Sequence, residues 1–186
     1  MRLPRLEAPR AHELKELHSL YEFSFPPEER RDWDSVINGG EKGPALYAIY
    51  DDDSQHAVGM VTLWTLDSFV YIEHFAVYDQ MRGHGIGGRT LTAIKEQYSE
   101  KSIVLEVEKP EVSTEAKRRI AFYERNGFRT ISDTYIQPPY RPGLPSVPLN
   151  IMATRPVDNA AAIERLLQRE VYGLTTAPAE GRFIGG

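Results

Sequence analysis

Hydrophobic and polar positions follow two rhythms along this chain. Leu14, Leu17 and Tyr21 recur at helical spacing, with Leu20 widening the stripe, and predict an amphipathic helix over Ala11–Glu22. Phe25-Pro26-Pro27 stops it, because proline lacks an N–H and clashes with the preceding turn. Glu28–Ile37 reads as a second short helix, ended by Asn38-Gly39-Gly40. A strand pattern then takes over at Ala45–Tyr50, Ala57–Leu66 and Val70–Val77, with turns at Asp51–Gln55 and Asp67-Ser68.

In the second half, Gly87–Tyr98 reads as a helix, with Ile86, Leu91, Ile94 and Tyr98 on one face. Ile103–Val107 is a buried-type strand. A helix from about Thr114 to Asn126 would bury Ala116, Ile120 and Tyr123, with Gly127 just past its end. Phe128–Tyr135 and Leu149–Thr154 read as strands around a proline-rich loop between Pro138 and Pro148. Asp158 could cap a last helix carrying Ile163, Leu166, Leu167 and Val171, and Thr175–Gly186 looks loosely held. Only the strand–helix–strand unit from Val70 to Val107 requires a parallel crossover. The expected fold is α/β (α+β): a mixed central sheet with helices on both faces.

Composition narrows the function. The 186 residues suit one domain, without internal repeats. With no Cys, disulfides, thiolate zinc sites and cysteine nucleophiles are excluded. The net charge of −5 disfavours non-specific nucleic-acid binding. Met1–Glu7 shows no apolar signal core and no stretch approaches a membrane span, so the expectation is a cytoplasmic protein with no membrane partner. The charge is uneven: Asp51–Glu100 carries 3 basic against 8 acidic residues.

That acidic block holds the strongest chemical motif, Gln80-Met81-Arg82-Gly83-His84-Gly85-Ile86-Gly87-Gly88, between a strand and a helix. Glycines there expose backbone N–H groups, and the following helix adds four more and a positive dipole end, so phosphate can bind without lysine. The dinucleotide fingerprint G-x-G-x-x-G matches literally, with Glu106 and Glu108 about 20 residues on, which would make a nicotinamide-dependent oxidoreductase. Against it, five residues separate Val77 from Gly83, and the region upstream has no usual nucleotide-binding half. A P-loop fails for want of Gly-Lys-Ser/Thr. A ligand-free turn would not need four glycines in six positions.

Arg82-x-x-Gly85-x-Gly87 resembles the acyl-CoA pyrophosphate loop of the GNAT superfamily of N-acetyltransferases, and Ala121-Phe122-Tyr123-Glu124-Arg125-Asn126-Gly127-Phe128 resembles the family's FYE-x-x-GF segment. The element order from Leu6 to Thr154 also matches the family's mixed, splayed sheet of about seven strands. The resemblance therefore implies a domain over residues 1–156, followed by a C-terminal amphipathic helix and tail over 157–186. It implies acetyl-CoA as co-substrate, with no metal. The arm would lie along Phe75, Ala76 and Val77, and the pyrophosphate on Arg82, Gly83, His84, Gly85, Ile86, Gly87 and Gly88. Ile86, being apolar, faces the core, and Arg82 could equally be a solvated surface cation.

An amine must lose a proton before it attacks a thioester, so a general base is needed. Simple alternation puts Tyr71, Glu73, Phe75 and Val77 on one strand face and His74 on the other. Glu73 is the only carboxylate inside that strand; it either pairs with Arg or Lys or handles the amine. Glu106, flanked by Val and Leu, is the second candidate, and two close carboxylates would raise one pKa. Tyr123 matches the family tyrosine that protonates the leaving thiolate. Tyr135, Tyr140 and the prolines could wall an acceptor site or only pack a loop. The implied partner is a small-molecule or peptide amine, with no nucleic acid. The last helix could cover its own domain or a second copy in a homodimer. A non-catalytic acyl-CoA-binding module is the remaining alternative.

Overall fold

The computed structural model describes residues 4–40, 43–52 and 54–174. Asp53 of the expected turn and the tail Thr175–Gly186 lie outside them. Eight strands form one sheet in the described residues: β1 (Arg5–Glu7), β2 (Ala45–Tyr50), β3 (Gly59–Thr65), β4 (Phe69–Val77), β5 (Ser102–Glu108), β6 (Arg129–Ser132), β7 (Ile136–Gln137) and β8 (Val147–Ala153). The order is β1-β2-β3-β4-β5-β8-β6, with β7 pairing beside β8. Among the described residues only β4 and β5 run parallel, as the single crossover requires. The sheet is therefore mixed, and helices cover both faces.

One face carries α3 (Ile86–Gln97) and α4 (Thr114–Arg125) over a cluster that includes Ile72, Ile94, Leu105 and Phe128. Of the stripes predicted for these two segments, Ile86, Leu91, Ile94 and Tyr123 are buried there, and Tyr98 and Ile120 pack against them partly buried. The other face carries α1 (Leu14–Ser24), α2 (Trp33–Ile37) and α5 (Ala160–Leu166). Leu17, Leu20 and Tyr21 of α1 pack on Ala48, Met60 and Ala76. Leu167 and Val171, just after α5, join Tyr71, Val104 and Ile151. Glu13 fastens α1 to the sheet edge: its carboxylate accepts from the Arg10 and Ala57 N–H groups (3.0 and 3.3 Å) and the Tyr50 hydroxyl (2.5 Å).

Four details depart from the sequence reading. β1 is three residues long, with Leu6 its one apolar position, too short for a period to register. The helix expected over Glu28–Ile37 breaks into a 3-10 turn (Pro27–Glu29) and α2, because Arg30 and Asp32 are extended. The Tyr21 hydroxyl satisfies the break: it donates to the Arg31 carbonyl (2.9 Å) and accepts from the Arg31 N–H (2.7 Å). The strand expected over Phe128–Tyr135 ends at Ser132, and Tyr135 turns inward to be buried. Finally, α5 is capped by Asn159, whose side chain accepts from the Ala162 N–H (3.1 Å), and not by Asp158.

Candidate active site

β4 and β5 are neighbours only over Phe69–Ile72 and Ser102–Leu105. Beyond that, β3 holds β4 as far as Val77, while β8 holds β5 as far as Glu108. The two arms part, and among the described residues the inner edge of β4 has no strand partner from Glu73 onward. The parting coincides with a bulge: Thr62 faces His74 and Leu63 faces Ile72, so Glu73 is an extra residue. A bulge bends its strand and re-aims side chains. Here it overturns the simple alternation. Phe75 and Val77 pack with Ile72 on the α3–α4 face, whereas Glu73 stays on the Tyr71 side beside His74.

The split opens into a cavity of about 950 Å³. Its wall brings together Glu73, Glu106, Tyr123, the strand end Phe75–Val77 and the loop glycines. Among the expected site residues, His84 does not line it. Its ring is exposed and donates through Nδ1 to the Arg82 carbonyl (3.0 Å). Arg82 ties the loop to the strand: Nε donates to the Val77 carbonyl (3.3 Å) and the guanidinium pairs with Asp79 (3.0 Å).

The four loop glycines do two different things. Gly83 and Gly85 have φ of +80° and +76°, a left-handed backbone that side chains disfavour, and open space lies where a Cβ would be. Gly87 and Gly88 instead let α4 approach: a Cβ would lie 3.1 Å from Phe122 Cζ and 3.2 Å from Asn126 Oδ1, respectively. Gly85 caps α3 without a side chain, and the N–H groups of Ile86, Gly87 and Gly88 have no acceptor within the described residues. A free helix start facing open space suits a phosphate group, and the unpaired β4 edge suits an extended amide arm. The residues present thus fit an acyl-CoA.

The two carboxylates differ. Glu73 has its side chain fully buried, and every partner it needs is in place. Arg31 donates two N–H bonds to Oε1 (3.1 and 2.9 Å), Tyr140 donates to Oε1 (3.2 Å) and Trp64 donates to Oε2 (2.9 Å). The Arg31 guanidinium lies 5.1 Å from the centroids of both the Trp64 and Tyr140 rings and also donates to the Val171 carbonyl (2.7 Å). Glu106 accepts from the Tyr172 hydroxyl at Oε2 (2.7 Å), while Oε1 is buried without a hydrogen-bond partner among the described residues. Burial pushes the Glu106 carboxyl up to about 7; the Tyr172, Tyr135 and Tyr71 hydroxyls pull it back in part, and the Glu73 charge adds to the rise.

Tyr123 packs against Phe122 and Phe128, with ring centroids 5.3 and 5.6 Å away. Burial pushes its hydroxyl up to about 12, so it keeps its proton at neutral pH. His74, beside Glu73, is buried and held neutral by that burial. Its Nε2–H donates to the Glu29 carbonyl (3.0 Å) and its Nδ1 accepts from the Thr62 hydroxyl (3.2 Å), which assigns the tautomer.

Sequence reasoning missed Glu29, Arg31 and Tyr172. Glu29 lines the cavity, and burial pushes its carboxyl up to about 7, with Glu108 adding and Arg119 opposing. Arg31 lay inside an expected helix, so only the break reveals its direction. Tyr172 comes directly after the last residue of the final apolar stripe, a weak signal that an aromatic polar tip is being brought inward.

A sheet that splits at its one parallel pair, with a free helix start at the mouth, meets the needs of an extended thioester carrying a diphosphate. The class so defined is the acyl-CoA-dependent acetyltransferases. The model of the Acetyltransferase (GNAT) family matches residues 12–128, and the chain belongs to that family. A structure described as "Putative acetyltransferase from GNAT family from Bacteroides thetaiotaomicron" is 34% identical, with a TM-score of 0.78, over 92% of this chain and 99% of that one. "Putative acetyltransferase YjbC" of Bacillus subtilis is 32% identical over 81 residues, which span 43% of this chain and 40% of that protein's length. Naa50 of Arabidopsis thaliana, in complex with the bisubstrate analogue CoA-Ac-MVNAL, shares the fold at 23% identity and a TM-score of 0.56, over 83% of this chain and 99% of that one.

Proposed function

We propose that the protein transfers the acetyl group of acetyl-CoA directly to a primary amine, with Glu106 as general base and Tyr123 as general acid. The observation that carries the reading is the split between β4 and β5, which places an unpaired strand edge, a free helix start and Glu106 on one cavity. The ligand named for the Arabidopsis relative, a CoA-peptide conjugate, supports it.

Bound acetyl-CoA supplies a thioester, an acyl group activated toward an uncharged amine. The β4 edge at Phe75–Val77 holds the arm by backbone hydrogen bonds, and the N–H groups of Ile86–Gly88 hold the diphosphate. Glu106, with a proton affinity matched to neutral pH, takes the proton from the incoming ammonium directly or through one water. The amine nitrogen bonds to the acyl carbon, and the carbon–sulfur bond breaks as Tyr123 gives its proton to the departing thiolate. The nitrogen's second proton passes through water to the Tyr123 oxygen, which leaves a neutral amide and restores the hydroxyl; Glu106 then gives its proton to solvent. Positioning of the two reactants in one cavity supplies most of the acceleration.

In this reading Glu73 is a positioning residue. Its charge is already neutralised by Arg31, and it keeps Arg31 and Tyr140 in place beside the cavity. Acetyl-CoA and NAD titrated separately into the protein in a calorimeter test the ligand class. Heat with acetyl-CoA alone is expected; binding of NAD alone would overturn the reading in favour of an oxidoreductase.

A further inference from the structure

The segment after α5 reaches the two carboxylates from behind. Residues Leu167–Val171 form one π-helical turn, closed by the Tyr172 N–H on the Leu167 carbonyl (3.2 Å). Such a turn holds one more residue than an α-helical turn and so rotates the succeeding side chains about the helix axis. Leu167 and Val171 are buried here, and Tyr172, the next residue, packs against the same cluster. The Val171 carbonyl accepts from Arg31 (2.7 Å), which holds Glu73, and the Tyr172 hydroxyl donates to Glu106 Oε2 (2.7 Å). Tyr172 is fixed in turn by the Tyr140 ring at 5.1 Å and the Tyr71 hydroxyl at 3.5 Å. Residues 167–172 themselves lie beyond residue 128, where the match to the family model ends.

We propose that the turn Leu167–Val171 with Tyr172 supports the active site from behind the residues that line its cavity, and that Tyr172 is a positioning residue that holds Glu106 by Oε2 and leaves Oε1 as its reactive oxygen. The inference rests on the reading of Glu106 as the base. It adds a role for a part of the chain that the glycine loop and the FYE-x-x-GF segment do not touch. The groups that face Glu106 are Tyr71 and Glu73 from β4, Tyr135 and Tyr140 from the segments flanking β7, and Tyr172, with Arg31 behind Glu73. Arg31 is committed to Glu73, so no cation in that set competes for Glu106. A donated hydrogen bond favours the ionised carboxylate. Loss of the Tyr172 hydroxyl therefore makes Glu106 harder to ionise.

The test is a carboxyl 13C NMR titration of the ligand-free protein labelled at Glu, with the Glu106 signal identified by its absence in Glu106→Gln. In Tyr172→Phe, which keeps the ring and its packing, the Glu106 midpoint is expected to rise by about one pH unit. Site-specific 3-fluorotyrosine at position 172, a stronger donor of the same shape, is expected to lower it and keeps the question answerable if Tyr172→Phe does not fold. A midpoint that stays within about 0.3 unit in the variants that fold overturns the proposal. The pH of half-maximal acetyl-CoA turnover separates the two claims. If it tracks the NMR midpoint, both stand. If the midpoint moves but turnover does not, Tyr172 holds Glu106 but Glu106 is not the base, and the catalytic part of the inference falls with it.

Discussion

Removing Arg31 should cost this protein far more than a surface arginine would. Glu73 has a fully buried side chain, and Arg31 keeps only 18% of its own exposed. In Arg31→Met the carboxylate retains the Trp64 N–H and the Tyr140 hydroxyl but loses its paired positive charge. Breaking one side of a buried pair costs about 3–5 kcal/mol. In a domain of this size that corresponds to a fall in melting temperature of roughly 10 °C. The double variant Arg31→Met/Glu73→Gln removes the stranded charge, so it should recover a large part of the loss. Urea denaturation of the wild type, both single variants and the double gives the coupling energy, expected at about 2 kcal/mol or more. A single-variant cost below about 1 kcal/mol, with additive effects in the double, would refute the view that Glu73 is a buried, neutralised anchor.

The same geometry sets three further expectations. Tyr123→Phe should lower turnover about a hundredfold with little change in acetyl-CoA affinity, measured by thiol release and calorimetry; an unchanged rate would remove the general acid. The Glu106 carboxyl is raised in the folded protein from 4.5 to about 7, so its protonated form favours folding. That contribution is full below the unfolded value and is lost as pH rises through about 7. Glu106→Gln should therefore flatten the pH dependence of urea stability between about pH 4.5 and pH 7, the window of that shift. Gly85→Ala meets no atom, yet its φ of +76° strains an alanine by about 1–2 kcal/mol, so acetyl-CoA binding should weaken without loss of the fold.

Much of the fold was legible because long periodic segments carry their own signal. The stripes of α1, α3 and α4 and the apolar runs of β2, β4 and β5 lie within a few residues of where the sequence put them. The glycine loop was legible for a related reason: only a backbone-lined turn requires glycine at Gly83 and Gly85. What stayed hidden depended on contacts distant in sequence. One inserted residue at Glu73 reversed the facing of Phe75 and Val77, and alternation cannot show a bulge. Arg31 reaches Glu73 across 42 residues because the Tyr21 hydroxyl replaces a helical turn, and Tyr172 reaches Glu106 across 66. Each is a pairing of single side chains, which leaves no period along the chain.

The central claim is that Glu106 takes the proton of an amine that attacks acetyl-CoA in the β4–β5 cleft. Its most direct test is acetyl-CoA turnover over a panel of primary amines, read as free thiol from pH 5 to pH 9, for the wild type and Glu106→Gln. The absence of Cys from the chain leaves no protein thiol to interfere. The wild type is expected to acetylate at least one amine with a rate that rises through about pH 7, and Glu106→Gln to lose about a hundredfold or more while still binding acetyl-CoA. Equal rates and the same pH profile in the two proteins would contradict the claim.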